Sequence, residues 1–527
     1  MSIRVGRNRV AEWPLGPAEG DDPSALVDLL VTSPSGRELR VPTFATADGV
    51  LRVRYSSDEP GTHSWRIEGP GSFPREVGEI EVIEQPDARP IIAHGPLQVS
   101  ENRRHLQHAD GTPFFWLGDT WWTALCARLH WPDEFRMLTA DRVDKGFSVI
   151  QLVAGLYPDM AAFDERGDNE AGWPWLRDWE GINPAWWDLA DLRIEHLASQ
   201  GLVPCILGSW GYYLPWVGVE RLKRHWRELI ARWGAYPVVW CLAGEGVMAW
   251  YLHKQNPEQI AIDQETQRAG WTEVGRYVQE ADPFERLVTI HPTRRGRQQV
   301  EDDSVMDMEM LQTGHGDRRS LPNTVQAVTE AYAEDPTMPV INSEVCYEGI
   351  LESCREEVQR MMFWASILSG TCGHTYGANG IWQFNRAEAR YGPSPHGYSW
   401  GDRPWDEAMA LPGSAQLGRF RRLLERFEWW RMEPHPEWVE PRWSESEYTA
   451  PYAAGIPGEL RVIYLFNAMP AATVRGLEPG ARYRAYLVDP STCAEQELGV
   501  AVGNDEGDWP IPQIEIRRDW LVVLERL

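Results

Sequence analysis

The stretch YPVVWCLAGEGVMAW, residues 236–250, contains an almost unbroken apolar run that ends at a carboxylate. The run extends from Val238 to Ala243, and a glycine and Glu245 follow it directly. A short apolar run bounded by glycine is typical of a strand that is buried on both faces, as in a parallel sheet. A glutamate at the end of such a strand loses hydration unless a partner or a catalytic task offsets that loss. A structural ion pair and a catalytic carboxyl are both open explanations for Glu245.

Seven similar apolar runs occur between about residues 95 and 435, and amphipathic helical patterns separate most of them. In chain order, the eight predicted strands are PFFWLGD, FSVIQLVAG, LVPCILGSW, VVWCLAGE, RLVTIHP, VMDMEMLQTG, PVINSE and CGHTYGA. No clear helix separates the fifth strand from the sixth. Strands that alternate with helices in this way predict an α/β protein with a (β/α)8 TIM barrel. A doubly wound open sheet is the alternative, although the first strand lacks the GxGxxG turn of its nucleotide-binding form.

Short alternating strands broken by turn residues flank this region on both sides. Residues 1–94 contain LRVRYS, HSWRIEG and PREVGEIEVIE, which show the period-two pattern of a small β-sandwich. The pattern returns after residue 435 in GELRVIYLFN, ARYRAYLVDP, PQIEIRR and WLVVLERL. We therefore predict an N-terminal β-sandwich at 1–94, a catalytic barrel at 95–435 and a C-terminal β-sandwich at 436–527.

The composition is that of a globular protein with an acidic surface. The 527 residues include 51 Lys and Arg against 78 Asp and Glu, which gives a net charge of −27. This balance disfavours nucleic acid and anionic membranes as partners, because both require a positive surface. The 28 Trp residues outnumber both Tyr and Phe. Since indole combines a flat apolar face with a polar edge, it suits sugar stacking as well as protein cores.

Neither a cofactor nor a metal is predicted. The seven cysteines are scattered and form no CxxC pair, so they are expected to be reduced thiols. His105 and His108 in HLQH are isolated from other ligand types. The first residues, MSIRVGRNRVAEWPLG, lack the apolar core of a secretory signal, and no run approaches the about 18 apolar residues of a membrane span. We expect a cytoplasmic protein; whether it forms a homo-oligomer stays open.

Barrel active sites lie at the carboxyl ends of the strands, where this sequence collects carboxylates, amides and aromatic rings. Sugars require this mixture, because rings stack on their C–H faces while polar side chains satisfy their hydroxyls. The predicted substrate-binding residues are Asp119, Trp121, Trp122, Trp210, His291, Gln312, Tyr347, His374, Tyr376 and Trp382.

Glu245 and Glu344 end the fourth and seventh strands, three positions apart around an eight-stranded ring. Long side chains at these positions can face each other across the mouth. A glycosidase needs one carboxyl to protonate the leaving oxygen and a second to attack or stabilise the anomeric carbon. We predict that Glu245 is the general acid/base and Glu344 the nucleophile, and that burial and the neighbouring charge raise the pKa of Glu245.

The region from about residue 95 to 435 also resembles the apiosidase-like glycoside hydrolases, a branch of a wider group with catalytic carboxylates on strands four and seven. The matching stretches are DGTPFFWLGDTWW, INPAWWDLADLRIEHLASQGLVP, RWGAYPVVWCLAGE, PVINSEVCYEGI, REEVQRMMFWASILSGTCGHTYGANGIWQF and LPGSAQLGRFRRLLER. The two flanking regions resemble domains that often accompany such barrels.

This resemblance implies a nucleophile at Glu344 and an acid/base at Glu245. It also implies sugar contacts from Asp119, Tyr376 and Trp382. The chain departs from the pattern in two places. Apiosidase-type relatives often have Asp where this chain has Glu245, and the wider group usually has Asn where this chain has a glycine. The resemblance therefore supports the reaction and leaves the sugar open.

The predicted function is that of a retaining exo-glycoside hydrolase that acts on small plant-derived oligosaccharides or glycosides. Two alternatives remain: a catalytically silent carbohydrate-binding barrel, and a transglycosylase that uses the same two glutamates. The long segment after the second barrel strand, YPDMAAFDERGDNEAGWPWLRDWEG, is expected to wall one side of the pocket. Its Trp173, Trp175 and Trp179 either bind a leaving-group sugar or pack the segment onto the barrel.

Overall fold

The computed structural model describes residues 2–18, 27–69, 76–466, 472–514 and 518–527. The N-terminal region forms two facing sets of antiparallel strands, as predicted, with one parallel pair between its first and last strands. Its strands are β1 (Ser2–Gly6), β2 (Ala11–Pro17), β3 (Asp28–Thr32), β4 (Glu38–Pro42), β5 (Phe44–Ala45), β6 (Val50–Tyr55), β7 (Gly61–Glu68) and β8 (Val77–Ile83). One sheet has the order β1-β8-β7-β3-β4 and the other β2-β6-β5. Alternate side chains of β2 and β7, including Trp13 and Trp65, are buried between them.

A short helix and a three-stranded sheet lead into the barrel. These elements are α1 (Pro90–Ala93), β9 (Leu97–Val99), β10 (Leu106–His108) and β11 (Pro113–Phe114). β10 and β11 form a hairpin, since they pair in antiparallel register.

Eight parallel strands follow, each overlapping one of the predicted apolar runs. They are β12 (Trp116–Thr120), β13 (Val149–Val153), β14 (Val203–Leu207), β15 (Val239–Cys241), β16 (Val288–Thr289), β17 (Glu309–Gln312), β18 (Val340–Glu344) and β19 (Gly373–Tyr376). The order β16-β15-β14-β13-β12-β19-β18-β17 is that of a barrel. At its seam, the Asp307 amide donates to the Val288 carbonyl at 2.8 Å, and the Thr289 hydroxyl donates to the Met308 carbonyl at 2.9 Å. The predicted TIM barrel is confirmed.

Helices connect the strands and close the outside of the barrel. They are α2 (Asp133–Lys145), α3 (Pro184–Ser199), α4 (Tyr213–Val217), α5 (Val219–Trp233), α6 (Pro257–Ala281), α7 (Leu321–Ala333), α8 (Glu356–Ser369), α9 (Trp405–Met409) and α10 (Pro412–Leu424). Between β16 and β17 the described chain forms only two 3₁₀ turns, in agreement with the missing helical pattern. No helix in the described ranges is long and apolar enough to cross a membrane.

The chain ends in a second all-β region. Its strands are β20 (Glu433–Pro434), β21 (Val439–Glu440), β22 (Tyr452–Ile456), β23 (Leu460–Leu465), β24 (Thr473–Val474), β25 (Tyr483–Val488), β26 (Glu495–Ala501), β27 (Trp509–Pro510) and β28 (Trp520–Arg526). They form a six-stranded and a three-stranded sheet. Of the predicted strand PQIEIRR, residues 515–517 lie outside the described residues, and the remaining four positions are not strand.

Both flanking regions are held against the barrel by buried ion pairs. Arg54 of β6 contacts Asp191 of α3 at 2.8 Å, and Arg360 of α8 contacts Asp519, just before β28, at 2.7 Å. Buried side chains of β22, β23 and β28 also belong to the same apolar cluster as the barrel core. The sheets and the barrel are thus in direct contact.

Candidate active site

Glu245 follows β15 in a backbone conformation that few residues other than glycine adopt. Its φ is +44°, and such a conformation costs a residue with a side chain on the order of 1–3 kcal/mol. The preceding Gly244 has no room for a side chain, since a Cβ there would lie 2.2 Å from the ring of Trp210. Close packing of Trp210 against the backbone thus explains the glycine at this position. The turn carries Glu245 to the edge of the cavity described below.

Glu344 ends β18 and is 3% exposed. Its Oε1 accepts hydrogen bonds from Gln312 Nε2 and His315 Nε2, both at 2.8 Å. His291 Nε2 lies 3.4 Å from Oε2. These three side chains come from the ends of β16 and β17, so neighbouring strands fix the carboxylate in one orientation.

One amide joins the two glutamates. Gln312 Nε2 donates to Glu344 Oε1 at 2.8 Å and to Glu245 Oε1 at 2.9 Å. Both carboxyl groups therefore lie within reach of a single nitrogen atom at the barrel mouth.

The surroundings move the pKa values of the two glutamates in opposite directions. Burial and the negative charge of Glu344 raise the pKa of Glu245 above its ordinary value. Burial alone would also raise the pKa of Glu344, but the imidazoles of His291 and His315 outweigh burial and hold that pKa well below its usual range. Of the two carboxyl groups, this arrangement favours a proton on Glu245 and a charge on Glu344.

The two glutamates line a cavity of about 510 Å³ at the carboxyl end of the barrel. Aromatic rings form much of its wall. Trp122 Nε1 donates to the Tyr347 hydroxyl at 2.9 Å, and the Tyr347 ring is stacked with Trp382 at 6.2 Å. Trp122 also meets Trp210 edge-on at 5.5 Å. The cavity thus combines charged groups with flat apolar surfaces.

The structure brings six of the ten predicted substrate-binding residues to this place. Trp122, Trp210, Tyr347 and Trp382 line the cavity. His291 and Gln312 are buried and contact the glutamates from within the barrel.

Asp119 and Trp121 do not line the cavity. The Asp119 carboxylate accepts from Arg142 Nε of α2 at 2.6 Å and from Trp121 Nε1 at 2.7 Å, and all three side chains are fully buried. Successive side chains of a strand point to opposite faces of the sheet. Asp119 faces the surrounding helices, and the residues before and after it in the strand face the barrel interior. Substrate binding by these two residues is not supported by their positions.

His374 and Tyr376 lie outside the cavity for the same reason. Between them, Thr375 faces the interior and donates to Gln151 Oε1 of β13 at 2.9 Å. Tyr376 donates instead to Glu348 Oε2 at 2.5 Å, and His374 packs edge-on against Phe363 of α8 at 5.2 Å. Their predicted contacts with sugar are likewise not supported.

Several cavity residues escaped prediction because they lie in the long connections after β13, β15 and β19. The only signal for them was the length of these connections. These residues include Asp159, Met248, Trp250, Tyr251, Lys254, His396 and Trp400.

The long segment after β13 does wall the cavity, through Pro158 and Asp159. Its three tryptophans do not reach the cavity. Trp173 and Trp175 are buried and donate to the Asp164 carbonyl and to His225 Nδ1 at 3.0 and 3.1 Å. Trp179 packs on Trp175. Their positions favour packing of the segment over contact with a sugar.

A TIM barrel with two carboxyl groups at its mouth is an arrangement typical of glycoside hydrolases, and this enzyme is one of them. Residues 100–431 match the family described as "Apiosidase-like, catalytic domain". The chain belongs to this family, as its sequence motifs indicate.

Solved structures agree with the architecture. One described as "Glycoside hydrolase" is 22% identical with a TM-score of 0.65, over 82% of this chain and 97% of its own. A glycoside hydrolase family 5 protein from Bacteroides vulgatus ATCC 8482 is 21% identical with a TM-score of 0.67, over 82% and 93%. A second protein from that organism is 16% identical with a TM-score of 0.69, over 100% of both chains. At these identities the similarities establish the fold. No curated protein matches the chain.

Proposed function

We propose that this enzyme is a retaining exo-glycoside hydrolase of small plant-derived oligosaccharides or glycosides, with Glu344 as nucleophile and Glu245 as acid/base. The observation that carries the proposal is the Gln312 amide, whose nitrogen bonds both carboxylates. Because these two oxygens lie 2.8 and 2.9 Å from one nitrogen, they can be at most about 5.7 Å apart, and retaining glycosidases hold their carboxyl groups at about 5–5.5 Å. An inverting enzyme needs a wider gap to admit a water.

The opposite pKa shifts support the division of roles. A nucleophile must be ionised, and the pKa of Glu344 is lowered by His291 and His315 against the effect of burial. An acid must hold its proton, and burial and the charge of Glu344 raise the pKa of Glu245. Since Glu245 Oε1 accepts from Gln312, the acidic proton belongs on Oε2.

In the first step, Glu344 attacks the anomeric carbon while the bond from that carbon to the leaving oxygen breaks. Glu245 gives its proton to this oxygen, so the leaving group departs as a neutral alcohol and the sugar stays bound as an ester of Glu344. The pairing with His315 stabilises the Glu344 carboxylate before attack and again when the ester breaks.

In the second step, Glu245 acts as a base. It takes a proton from water, whose oxygen attacks the anomeric carbon as the bond to Glu344 breaks. Glu245 is then protonated and Glu344 ionised, as at the start. A sugar hydroxyl in place of water would give the transglycosylase that remains the alternative.

The shape of the cavity supports a small substrate and exo action. Its volume of about 510 Å³ lies within the about 300–1,000 Å³ usual for small-ligand sites. Connections from three strands meet above it: Asp159 after β13, Tyr251 after β15 and Trp400 after β19 are joined by hydrogen bonds. A site closed in this way suits the end of a saccharide better than its middle. The plant origin of the substrate rests on the family resemblance.

The test is hydrolysis of a panel of 4-nitrophenyl glycosides by wild type, Glu344→Ala and the matched control Glu352→Ala. Glu352 is exposed, lies eight residues beyond Glu344 and does not line the cavity. The panel includes pentofuranosides, arabinopyranosides, galactosides, glucosides, fucosides and rhamnosides. We expect wild type and Glu352→Ala to cleave the same glycoside and Glu344→Ala to lose several orders of magnitude. Proton NMR of the first-formed sugar should show the anomeric configuration of the substrate.

Two results would contradict the proposal in different ways. A first-formed sugar with the opposite anomeric configuration to the substrate would exclude the double displacement. The protein would still be a glycosidase, of the inverting kind. Equal rates for wild type and Glu344→Ala would remove Glu344 from the reaction.

A further inference from the structure

A third carboxylate lies in the cavity and has no part in the two steps above. Asp159 belongs to the connection after β13, lines the cavity and is 6% exposed. Its φ is +57°, a left-handed conformation that costs a residue with a side chain about 1–3 kcal/mol. The surrounding structure holds Asp159 there in spite of this cost.

Three side chains from different parts of the chain hold Asp159 in position. Trp400 Nε1 donates to its Oδ2 at 3.1 Å, and its backbone amide donates to the Tyr251 hydroxyl at 3.1 Å. Arg166 donates to its backbone carbonyl at 3.2 Å. No Lys or Arg side chain in the described chain forms an ion pair with this carboxylate. The group is thus fixed in place with its charge unneutralised.

The two oxygens of a carboxylate offer about four acceptor sites, and the side chains of Trp400 and Tyr251 occupy only part of them, so Asp159 can accept further hydrogen bonds from a ligand. Burial, with a contribution from the charge of Glu344, raises the pKa of Asp159 to about 6. The negative charge of Asp159 in turn raises the pKa of Glu245. Asp159, Glu245 and Glu344 line one cavity, so these charges act on one another over short distances. Sugar hydroxyls are suitable donors, and the cavity supplies aromatic faces for the same ring.

We propose that Asp159 selects the sugar that is cleaved: its carboxylate accepts hydrogen bonds from two adjacent hydroxyls of a neutral glycone and repels uronic acids. The assignment rests on the proposed glycosidase function. Repulsion follows because Asp159, Glu245 and Glu344 all line one small cavity, whose only lining cation within the described ranges, apart from histidine, is the exposed Lys254.

The test uses Asp159→Asn, which removes the charge and keeps the shape. The matched control is Asp168→Asn, the same change in the same segment at a residue that does not line the cavity. Three substrates are compared: the neutral 4-nitrophenyl glycoside that wild type cleaves fastest, its monodeoxy analogues, and the analogue that carries a carboxylate. Thermal unfolding midpoints establish that each variant is folded.

We expect Asp159→Asn to lower kcat/KM for the neutral glycoside by about 10- to 100-fold, as for loss of a hydrogen bond to a charged group. For each deoxy analogue that lacks one of the two contacted hydroxyls, the same substitution should have a smaller effect than it has for the parent glycoside. The ratio of kcat/KM for the acidic over the neutral substrate should rise at least about tenfold, because a like charge is removed. Asp168→Asn should match wild type throughout.

A uniform loss on all three substrates, or no loss, would overturn the assignment of Asp159 and leave the glycosidase function intact. If wild type cleaves no glycoside of the panel, the proposed function fails and the assignment fails with it.

Discussion

Two arcs of the barrel mouth carry similar residues in different surroundings. The arc that we propose to be catalytic, called the catalytic arc below, consists of Glu245, His291, Gln312 and Glu344 at the ends of β15 to β18. The buried arc consists of Asp119, Trp121, His374 and Tyr376 on the neighbouring strands β12 and β19. Both arcs contain a carboxylate and an imidazole; the catalytic arc adds an amide, and the buried arc adds two aromatic rings. All eight residues stand at or near the carboxyl ends of strands.

The arcs differ in where their polar atoms find partners. In the catalytic arc the side chains bond to one another, and the two glutamates line the cavity. In the buried arc, Asp119 is paired with Arg142 of α2 and Tyr376 with Glu348. Position at a strand end therefore does not decide whether a residue can meet a substrate. The face of the strand and the presence of a partner on the outer helices decide it.

Glu245→Gln gives the largest expected effect and tests the catalytic arc. The substitution keeps the shape of the side chain and removes its proton. We expect kcat/KM to fall by about 10²–10⁴-fold for a glycoside with a poor leaving group, the usual contribution of a general acid. A 2,4-dinitrophenyl glycoside, whose leaving group needs no proton, should lose much less in the first step. Steady-state kinetics on this pair of substrates provides the measurement.

Glu344→Gln is the matched comparison, because loss of the nucleophile should slow both substrates alike. An equal loss on both substrates for Glu245→Gln would mean that Glu245 does not donate the proton.

Asp119→Ala should affect stability and leave kinetics nearly unchanged. Asp119 and Arg142 are both fully buried, with 2.6 Å between their charged groups. Removal of one partner of such a pair leaves a buried charge and costs about 3–5 kcal/mol of the free energy of unfolding. Urea unfolding, with kcat/KM measured in the absence of denaturant, separates the two effects.

The control is Asp141→Ala, which removes the partly exposed second carboxylate that contacts Arg142 and should cost less. A large fall in kcat/KM for Asp119→Ala without loss of stability would place Asp119 with the catalytic arc after all.

The sequence was sufficient for the barrel, since each of the eight strands overlaps one of the eight apolar runs. It also pointed to Glu245 and Glu344, because both stand at the ends of such runs. It did not reveal which face of a strand a residue occupies. His374 and Tyr376 share one face and Thr375 has the other, and only the register against β12 and α8 determines which face is inward. Asp159 escaped for a different reason. Its position depends on contacts with Tyr251 and Trp400, which are 92 and 241 residues away.

His374 differs from the other members of the buried arc in that its side chain lacks a polar partner within the described part of the chain. Its substitution should have the smallest effect of the changes considered, and this effect is on stability. Neither of its ring nitrogens has a hydrogen-bond partner among the described residues, and burial lowers its pKa to about 3. An unfolded histidine titrates near about 6.5. Between these two values the unfolded chain binds a proton at this site and the folded chain does not. The contribution of His374 to the free energy of unfolding therefore has its full value above about pH 6.5 and falls as the pH is lowered.

His374→Leu removes this penalty and keeps an apolar side chain against Phe363. The free energy of unfolding of wild type relative to the variant should fall by about 1.4 kcal/mol per pH unit below about pH 6.5, the slope for one proton. Urea unfolding of both proteins at pH 7.5, 6.5, 5.5 and 5.0 measures the difference, in which other titrating groups cancel. A difference that stays constant with pH would mean that His374 is protonated in the folded protein. Its buried position would then require an acceptor, and this strand end would resemble the catalytic arc, where the His291 imidazole lies beside the Glu344 carboxylate.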